Sequence, residues 1–134
     1  MRKFLFALCI SLLSLGAAAD DLPAVAGLKA FRQPMEEIVR EAGKGRDADF
    51  GAFGKSYAEA DTAWKLVVSE PLDLDHYGVA SDRQEEVWRQ VRTLGMLMGY
   101  MDEAIKRGDR ALMLGSADML QSAYTKLAAG LGVH

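Results

Sequence analysis

The chain has 134 residues, 50% of them hydrophobic, and a formal net charge of −3 at neutral pH. This length and apolar content are typical of one globular domain, and the acidic balance argues against nucleic acid or an anionic membrane as the partner. Cys9 is the one cysteine in the sequence, so an intramolecular disulfide and a zinc site made of several thiolates are both excluded.

The first residues have the pattern of a secretory signal peptide. Arg2 and Lys3 form a basic start, Phe4–Leu15 is an apolar run, and Ala17–Ala19 supplies the small residues of a cleavage site. The apolar run is too short to anchor the chain in a bilayer. We therefore expect cleavage after Ala19 and export to the periplasm, the alternative being a buried N-terminal helix. The remaining domain, residues 20–134, has no cysteine and a net charge of −5.

The first predicted helix contains Pro34, which leaves two interpretations open. Pro34 could be the first helical residue, followed by an acidic first turn, or it could kink a longer helix that starts near Ala24. An apolar stripe continues on both sides of Pro34 and favours the longer helix. The stripe has spacings of 3, 4, 3 and 4 and consists of Leu28, Phe31, Met35, Ile38 and Ala42.

The second predicted helix begins near Asp47 and ends at Glu70, because Pro71 restricts the residue before it. Its apolar stripe, again with alternating spacings of 3 and 4, consists of Phe50, Phe53, Tyr57, Ala60, Trp64 and Val67. Pro71–Ala80 follows as the longest connection between helices.

The third predicted helix, Ser81–Arg107, has the longest unbroken apolar stripe. Ser81 and Gln84 have the spacing of a capping box at its start, and Gly108 is expected to end it. Asp109 is expected to cap a fourth helix that ends at Gly130 and Gly132. The two stripes consist of Val87, Val91, Leu94, Met98, Met101 and Ile105, and of Met113, Ala117, Leu120, Tyr124, Leu127 and Leu131.

Four helices of similar length with short connections predict an all-α fold, an up-down-up-down four-helix bundle. In that topology the start of the first helix, the 71–80 loop and the end of the fourth helix share one end of the bundle. Residues that could bind a ligand gather there: Met35, Asp73, Asp75, His76 and His134.

Short segments of the chain resemble a known family. They are Phe31–Met35, Pro71–Asp75, Asp102–Gly108 and the Ala123-Tyr124 pair. They are similar to segments of the exported four-helix haem bundles, the small soluble b-type cytochromes and cytochrome c-prime. The resemblance implies the bundle scaffold and implies that Met35 occupies a haem-ligand position.

Two departures from the family concern its haem. Thr125 stands where the b-type cytochromes have a histidine, and the chain lacks the Cys-x-x-Cys-His motif of cytochrome c-prime. A scaffold without covalently attached haem is therefore expected.

Two candidate sites follow from the ligand-type residues. Met35 with His134 or His76 could bind non-covalent haem b, copper or zinc, since thioether and imidazole suit these groups. Asp73, Asp75 and His76 could hold a hard metal or zinc. The alternatives are a core role for Met35 and a polar loop whose Leu72, Leu74 and Tyr77 close the end of the bundle.

Methionines and glycines in the third and fourth helices allow further interpretations. Met96, Met98, Met101, Met113 and Met119 could bind copper(I), although methionine is also a common filler of helical cores. Gly95 and Gly99, one turn apart, could form a flat patch for a planar ligand or for a close helix neighbour. The family resemblance also implies a homodimer formed through helix faces.

The sequence offers little for catalysis. Adjacent acids such as Glu85 and Glu86 diverge by about 100° on a helix, and the Glu-x-x-His motif of a di-iron bundle is absent. We therefore expect a protein that is not an enzyme, a periplasmic bundle that binds an unknown protein or small ligand. The alternative is a haem or metal protein for electron transfer or metal handling.

Overall fold

The computed structural model describes residues 22–133, and within that range it contains four α-helices and no strand. They are α1 (Pro23–Ala42), α2 (Phe50–Val67), α3 (Gln84–Arg107) and α4 (Arg110–Gly130). α1 packs against α2 and α4, while α3 packs against α4 and, to a lesser extent, against α2. The all-α prediction is confirmed, and the packing fits a helical bundle. The predicted signal peptide, residues 1–19, lies outside the described residues.

The core is built from the apolar stripes of all four helices. Burial of each large side chain contributes about 1.5–3 kcal/mol, so the four stripes together hold the helices against one another. The largest fully buried side chains are Leu28, Phe31, Ile38, Phe53, Leu94, Leu97, Met101, Met113, Leu120 and Leu127. Of these, Leu97 is the one that lies outside the predicted stripes.

α1 is one helix that runs through Pro34, as the continuous stripe predicts. It begins at Pro23. Proline has no backbone N–H, but the first N–H groups of a helix have no partner within the helix, so no hydrogen bond is lost there. Because the helix starts eleven residues before Pro34, Met35 lies in its middle and not in its first turn. This placement separates Met35 from the bundle end to which the sequence assigns it.

Several predicted helix ends are wrong. α2 begins at Phe50 and not near Asp47, because the Asp49 carboxylate accepts a hydrogen bond from the Gly51 N–H at 2.8 Å and caps the helix. α2 ends at Val67, three residues before Glu70.

The capping box at the start of α3 is also wrong. Ser81 lies in a short 3₁₀ turn and makes no side-chain cap. The Gln84 amide instead donates to Asp75 Oδ1 at 2.6 Å and to the Val79 carbonyl at 3.0 Å. Gln84 therefore holds the preceding loop in place and does not cap its own helix.

The turn between α3 and α4 is as predicted. Gly108 has a φ of 64°, a left-handed conformation that favours glycine. The Asp109 carboxylate accepts from the Leu112 N–H at 3.1 Å and caps α4.

Arg110 ties the start of α4 to the turn between α1 and α2. Its guanidinium donates to the carbonyl oxygens of Gly45 and Ala48, at 3.2 and 2.7 Å, and lies 5.1 Å from the ring centroid of Phe50. In the same turn the Glu41 carboxylate accepts from the Asp49 N–H at 2.8 Å and pairs with Lys44 at 2.7 Å. The hydrogen bond from Lys44 lowers the pKa of Glu41, and the Asp49 N–H acts in the same direction.

Gly27 marks the closest approach between α1 and α2. A Cβ atom there would lie 2.6 Å from Val67 Cγ2, 2.8 Å from the Val67 nitrogen and 2.9 Å from the Ala63 oxygen. Two of these neighbours are backbone atoms, so the helices would have to separate to admit a side chain.

We predict opposite effects for two glycine-to-alanine substitutions. Gly27→Ala should destabilise the fold by about 1–3 kcal/mol, because it overpacks the contact with α2. Gly115→Ala should stabilise it by about 1 kcal/mol, because Gly115 is helical and exposed, with no neighbour within 4 Å of its Cβ position. Urea unfolding followed by circular dichroism measures both, and a change of the same sign in both variants would contradict the packing described for α1 and α2.

Candidate functional site

Met35 lies in a groove between α1 and α4. The groove has a volume of about 330 Å³. Its lining residues are Arg32, Met35 and Glu36 from α1, Gln121, Tyr124, Thr125 and Ala129 from α4, and Val133 from the segment after α4. Met35 itself is 3% exposed, so its side chain forms the floor of the groove and belongs to the core.

The position that carries a histidine in the b-type cytochromes lies in the same groove. Thr125 is exposed there, and its hydroxyl donates to the Gln121 carbonyl at 2.8 Å, one turn back along α4. Met35 and Thr125 therefore face a common groove, but Thr125 offers no imidazole, and its one donated hydrogen bond goes to its own helix.

Aromatic rings fill the interior behind the groove. The ring of Tyr124 stacks on Phe31, with centroids 5.6 Å apart and planes 13° apart. The Tyr124 hydroxyl donates to the Leu28 carbonyl at 2.7 Å, and Trp64 meets Phe31 edge to face at 6.4 Å. These side chains occupy the space between α1 and α4, so the described residues do not fit a haem held inside the bundle at Met35.

The 71–80 loop closes one end of the bundle. Leu74 is buried, while Leu72 and Tyr77 pack against the core at its edge. The Tyr77 hydroxyl accepts a hydrogen bond from the Ala24 N–H at 3.1 Å, which joins this loop to the first turn of α1. The interpretation of these three side chains as a cover over the bundle end is confirmed.

The loop's ligand-type residues serve the loop itself. Asp73 accepts from the His76 backbone N–H at 3.4 Å, and Asp75 accepts from Gln84 at 2.6 Å. His76 is exposed, and its ring lies 6.5 Å from that of Tyr77. Across residues 22–133, no three or more His, Cys, Asp and Glu side chains are grouped so that they could hold a metal ion.

The structure describes one of the two histidines, His76, and separates it from Met35. Tyr77, the neighbour of His76 in the sequence, bonds to Ala24, and the eleven residue steps from Ala24 to Met35 correspond to about 16 Å of helix. His134 lies outside the described residues, but Val133, its neighbour in sequence, is buried and lines the same groove as Met35. Val133 is held there by a hydrogen bond from its N–H to the Ala128 carbonyl at 2.7 Å, which closes the end of α4.

The methionines and glycines of α3 and α4 divide between core and surface. Met98, Met101 and Met113 are buried core residues, whereas Met96 and Met119 are exposed. A Cβ on Gly95 would meet the Trp64 ring at 3.5 Å, while one on Gly99 would meet nothing within 4 Å. Gly95 therefore makes room for the Trp64 ring. The ring covers the Gly95 half of the flat patch that the two glycines could form, and the Gly99 half is open.

An exposed group of large apolar side chains lies on the outer face of α3 and was not predicted from the sequence. Trp88, Met96 and Tyr100 are 37%, 47% and 45% exposed. The signal was present in the sequence, because all three lie off the core stripe, at positions i, i+8 and i+12 of one helix. Aromatic residues and methionine are enriched in protein interfaces, so this face is a candidate interaction surface.

Comparison with known proteins gives no relative. No family model, no curated protein and no solved structure matches the chain. Among residues 22–133, none of the helices is long and apolar enough to cross a membrane. The resemblance to the haem bundles therefore depends on the short segments of this sequence alone.

We predict that the Tyr124 hydroxyl stabilises the fold measurably. Tyr124→Phe keeps the ring stack and removes the hydrogen bond to Leu28, so the free energy of unfolding should fall by about 1 kcal/mol. Tyr100→Phe is the matched control, because that exposed hydroxyl should change stability by less than about 0.5 kcal/mol. Equal unfolding midpoints in urea for Tyr124→Phe and the unmodified protein would contradict this role.

Proposed function

We propose that the chain is an exported, cytochrome-like bundle without bound haem, and that it acts in the periplasm as a binding or interaction module and not as an enzyme. The observation that carries the proposal is the contrast between interior and surface. Phe31 and Tyr124 close the space between α1 and α4, while α3 leaves Trp88, Met96 and Tyr100 exposed. A filled core, together with exposed aromatic and methionine side chains on an outer helix face, favours binding at the surface.

The up-down-up-down order of the helices is part of this proposal. Two contacts support it. Arg110, at the start of α4, bonds to the turn between α1 and α2. Tyr77, in the loop between α2 and α3, bonds to the first turn of α1. In an up-down-up-down bundle these segments meet at opposite ends of the molecule.

The alternative function is binding of a metal or of haem through Met35 and His134. The observation that favours it is that Met35 lines one groove with Val133, the residue that precedes His134 in the sequence. Thioether and imidazole together suit copper(I) or haem iron better than zinc. A ligand bound there would lie in the groove on the surface, because the aromatic rings occupy the interior.

Absorption spectroscopy of the protein recovered from the periplasm of a haem-supplied bacterial host tests the proposal. We predict tryptophan and tyrosine bands alone in the protein as recovered, and, after haemin is added, a Soret band identical to that of free haemin in the same buffer. In competition with a copper(I) chelator, Met35→Leu and His134→Ala should have the same affinity as the unmodified protein, which should be no higher than that of a methionine-poor control protein.

Two results would overturn the haem-free module in favour of the alternative. One is a Soret band that shifts on reduction and weakens in Met35→Leu. The other is copper(I) affinity above the control that falls in both variants. Met119→Leu, an exposed methionine of α4 that does not line the Met35 groove, is the matched control in both measurements.

A further inference from the structure

A second stripe runs along α3 on the face opposite the core. Its members are separated by 4, 3, 4, 4, 3 and 4 residues, a pattern that is symmetric about Met96. We name it the outer stripe, and it consists of Glu85, Arg89, Arg92, Met96, Tyr100, Glu103 and Arg107. Spacings of 3 and 4 place all of them on one helix face. All are exposed except Glu103, which is partly exposed.

We propose that the outer stripe binds the outer stripe of a second copy of this chain, with the two helices antiparallel and a two-fold axis at Met96. The proposal rests on the proposed function, since it names the partner of the α3 surface. Its basis is charge complementarity of the stripe with itself, read in the reverse direction.

In this register, wherever two charged residues face each other, their charges are opposite. In an antiparallel pair of identical helices with Met96 on the axis, Glu85 faces the partner's Arg107. Arg89 then faces the partner's Glu103, and the two-fold axis repeats both pairs. A parallel arrangement would instead put each residue against its own copy, so that like charges would meet. The pattern therefore selects the antiparallel, two-fold arrangement, in which one surface patch serves both copies.

The centre of the stripe combines the apolar Met96 with Arg92 and Tyr100 on either side of it. Met96 would face the partner's Met96, and Tyr100 would face the partner's Arg92, a pairing that favours a cation–π contact. Trp88, at the edge of the stripe, and Tyr100 add exposed aromatic surface. Gly99, with open space at its Cβ position, leaves room beside Met96 for side chains of the other helix.

Existing ion pairs within α3 do not block this arrangement. Arg89 pairs with Glu86 and Arg107 pairs with Glu103, each at 2.6 Å and each at the surface. Exposed pairs of this kind contribute little to stability because water and salt screen them. The side chains of these pairs can therefore bond to a partner helix, in place of or in addition to their present partners, with little loss of stability.

Sedimentation equilibrium of the protein recovered from the periplasm, in reducing buffer and with its monomer mass determined by mass spectrometry, tests the self-association. At about 0.1 mM protein, a dimer with a dissociation constant of about 10 μM is mostly assembled. We expect about twice the monomer mass, which is 14.6 kDa for the full chain, and weaker association at high salt. Met96→Glu puts two like charges on the axis and should raise the dissociation constant more than tenfold, whereas Met119→Glu should not change it.

A charge-reversal cycle tests the register. Arg89→Glu and Glu103→Arg should each weaken the dimer, because each brings like charges together across the axis. The double variant should restore it, because position 89 would again face an opposite charge at the partner's position 103. The ion pairs within one helix stay broken in the double variant, so recovery would report the contact between copies.

Three outcomes would overturn the proposal: a monomer at 0.1 mM, equal effects of Met96→Glu and Met119→Glu, or a double variant no better than the single ones. Failure here is distinguishable from failure of the proposed function. A monomer without a Soret band would contradict self-association and would agree with the proposal of a haem-free module. A dimer with a Soret band would contradict the proposal of a haem-free module and would agree with the α3 interface.

Discussion

A buried hydrogen bond from the Tyr124 hydroxyl to the Leu28 carbonyl joins the last helix to the first, across 96 residues of sequence. A buried hydroxyl needs a partner, so this bond fixes how α4 is rotated against α1 and keeps the Tyr124 ring stacked on Phe31. Phe31 in turn meets the edge of Trp64 on α2, and Trp64 lies against Gly95 of α3. One chain of contacts thus passes through all four helices.

Because aromatic rings fill the interior, the proposed binding module would meet its partner at the surface. The rings occupy the interior between α1 and α4, where the resemblance to the haem bundles would place a cofactor. Met35, which the resemblance implies as a haem ligand, is a core residue, 3% exposed, and Thr125 bonds to its own helix. The surfaces that we propose for binding are the groove beside Met35 and the outer stripe of α3. The self-complementary charges of that stripe make a second copy of the chain the partner that best fits it.

The sequence predicts the elements of this fold better than their connections. Apolar spacing is a local property, so the stripes that contain Leu28, Phe53 and Leu120 are buried as predicted. Gly108 and Asp109 also act locally and end α3 and begin α4 as expected. Gln84 misleads because its amide is bonded to Asp75, nine residues away, and the close approach at Gly27 depends on Val67 of another helix. The candidate site is predicted less well than the helices, because it also depends on contacts between distant residues. Whether Met35 and His76 meet depends on where α1 begins, which the pattern around Pro34 leaves open.

The central claim is that Phe31 and Tyr124 close the interior whether or not haem is available. Nuclear Overhauser effects between the two rings, recorded on the protein with excess haemin present, test it most directly. The account predicts strong cross-peaks between the Tyr124 and Phe31 ring protons, consistent with centroids 5.6 Å apart, and the same intensities before and after haemin is added. Loss of these cross-peaks on addition of haemin, together with large shifts of the Met35 methyl resonance, would show that the rings separate to admit the cofactor. That result would contradict a closed core and return Met35 to the role of a haem ligand.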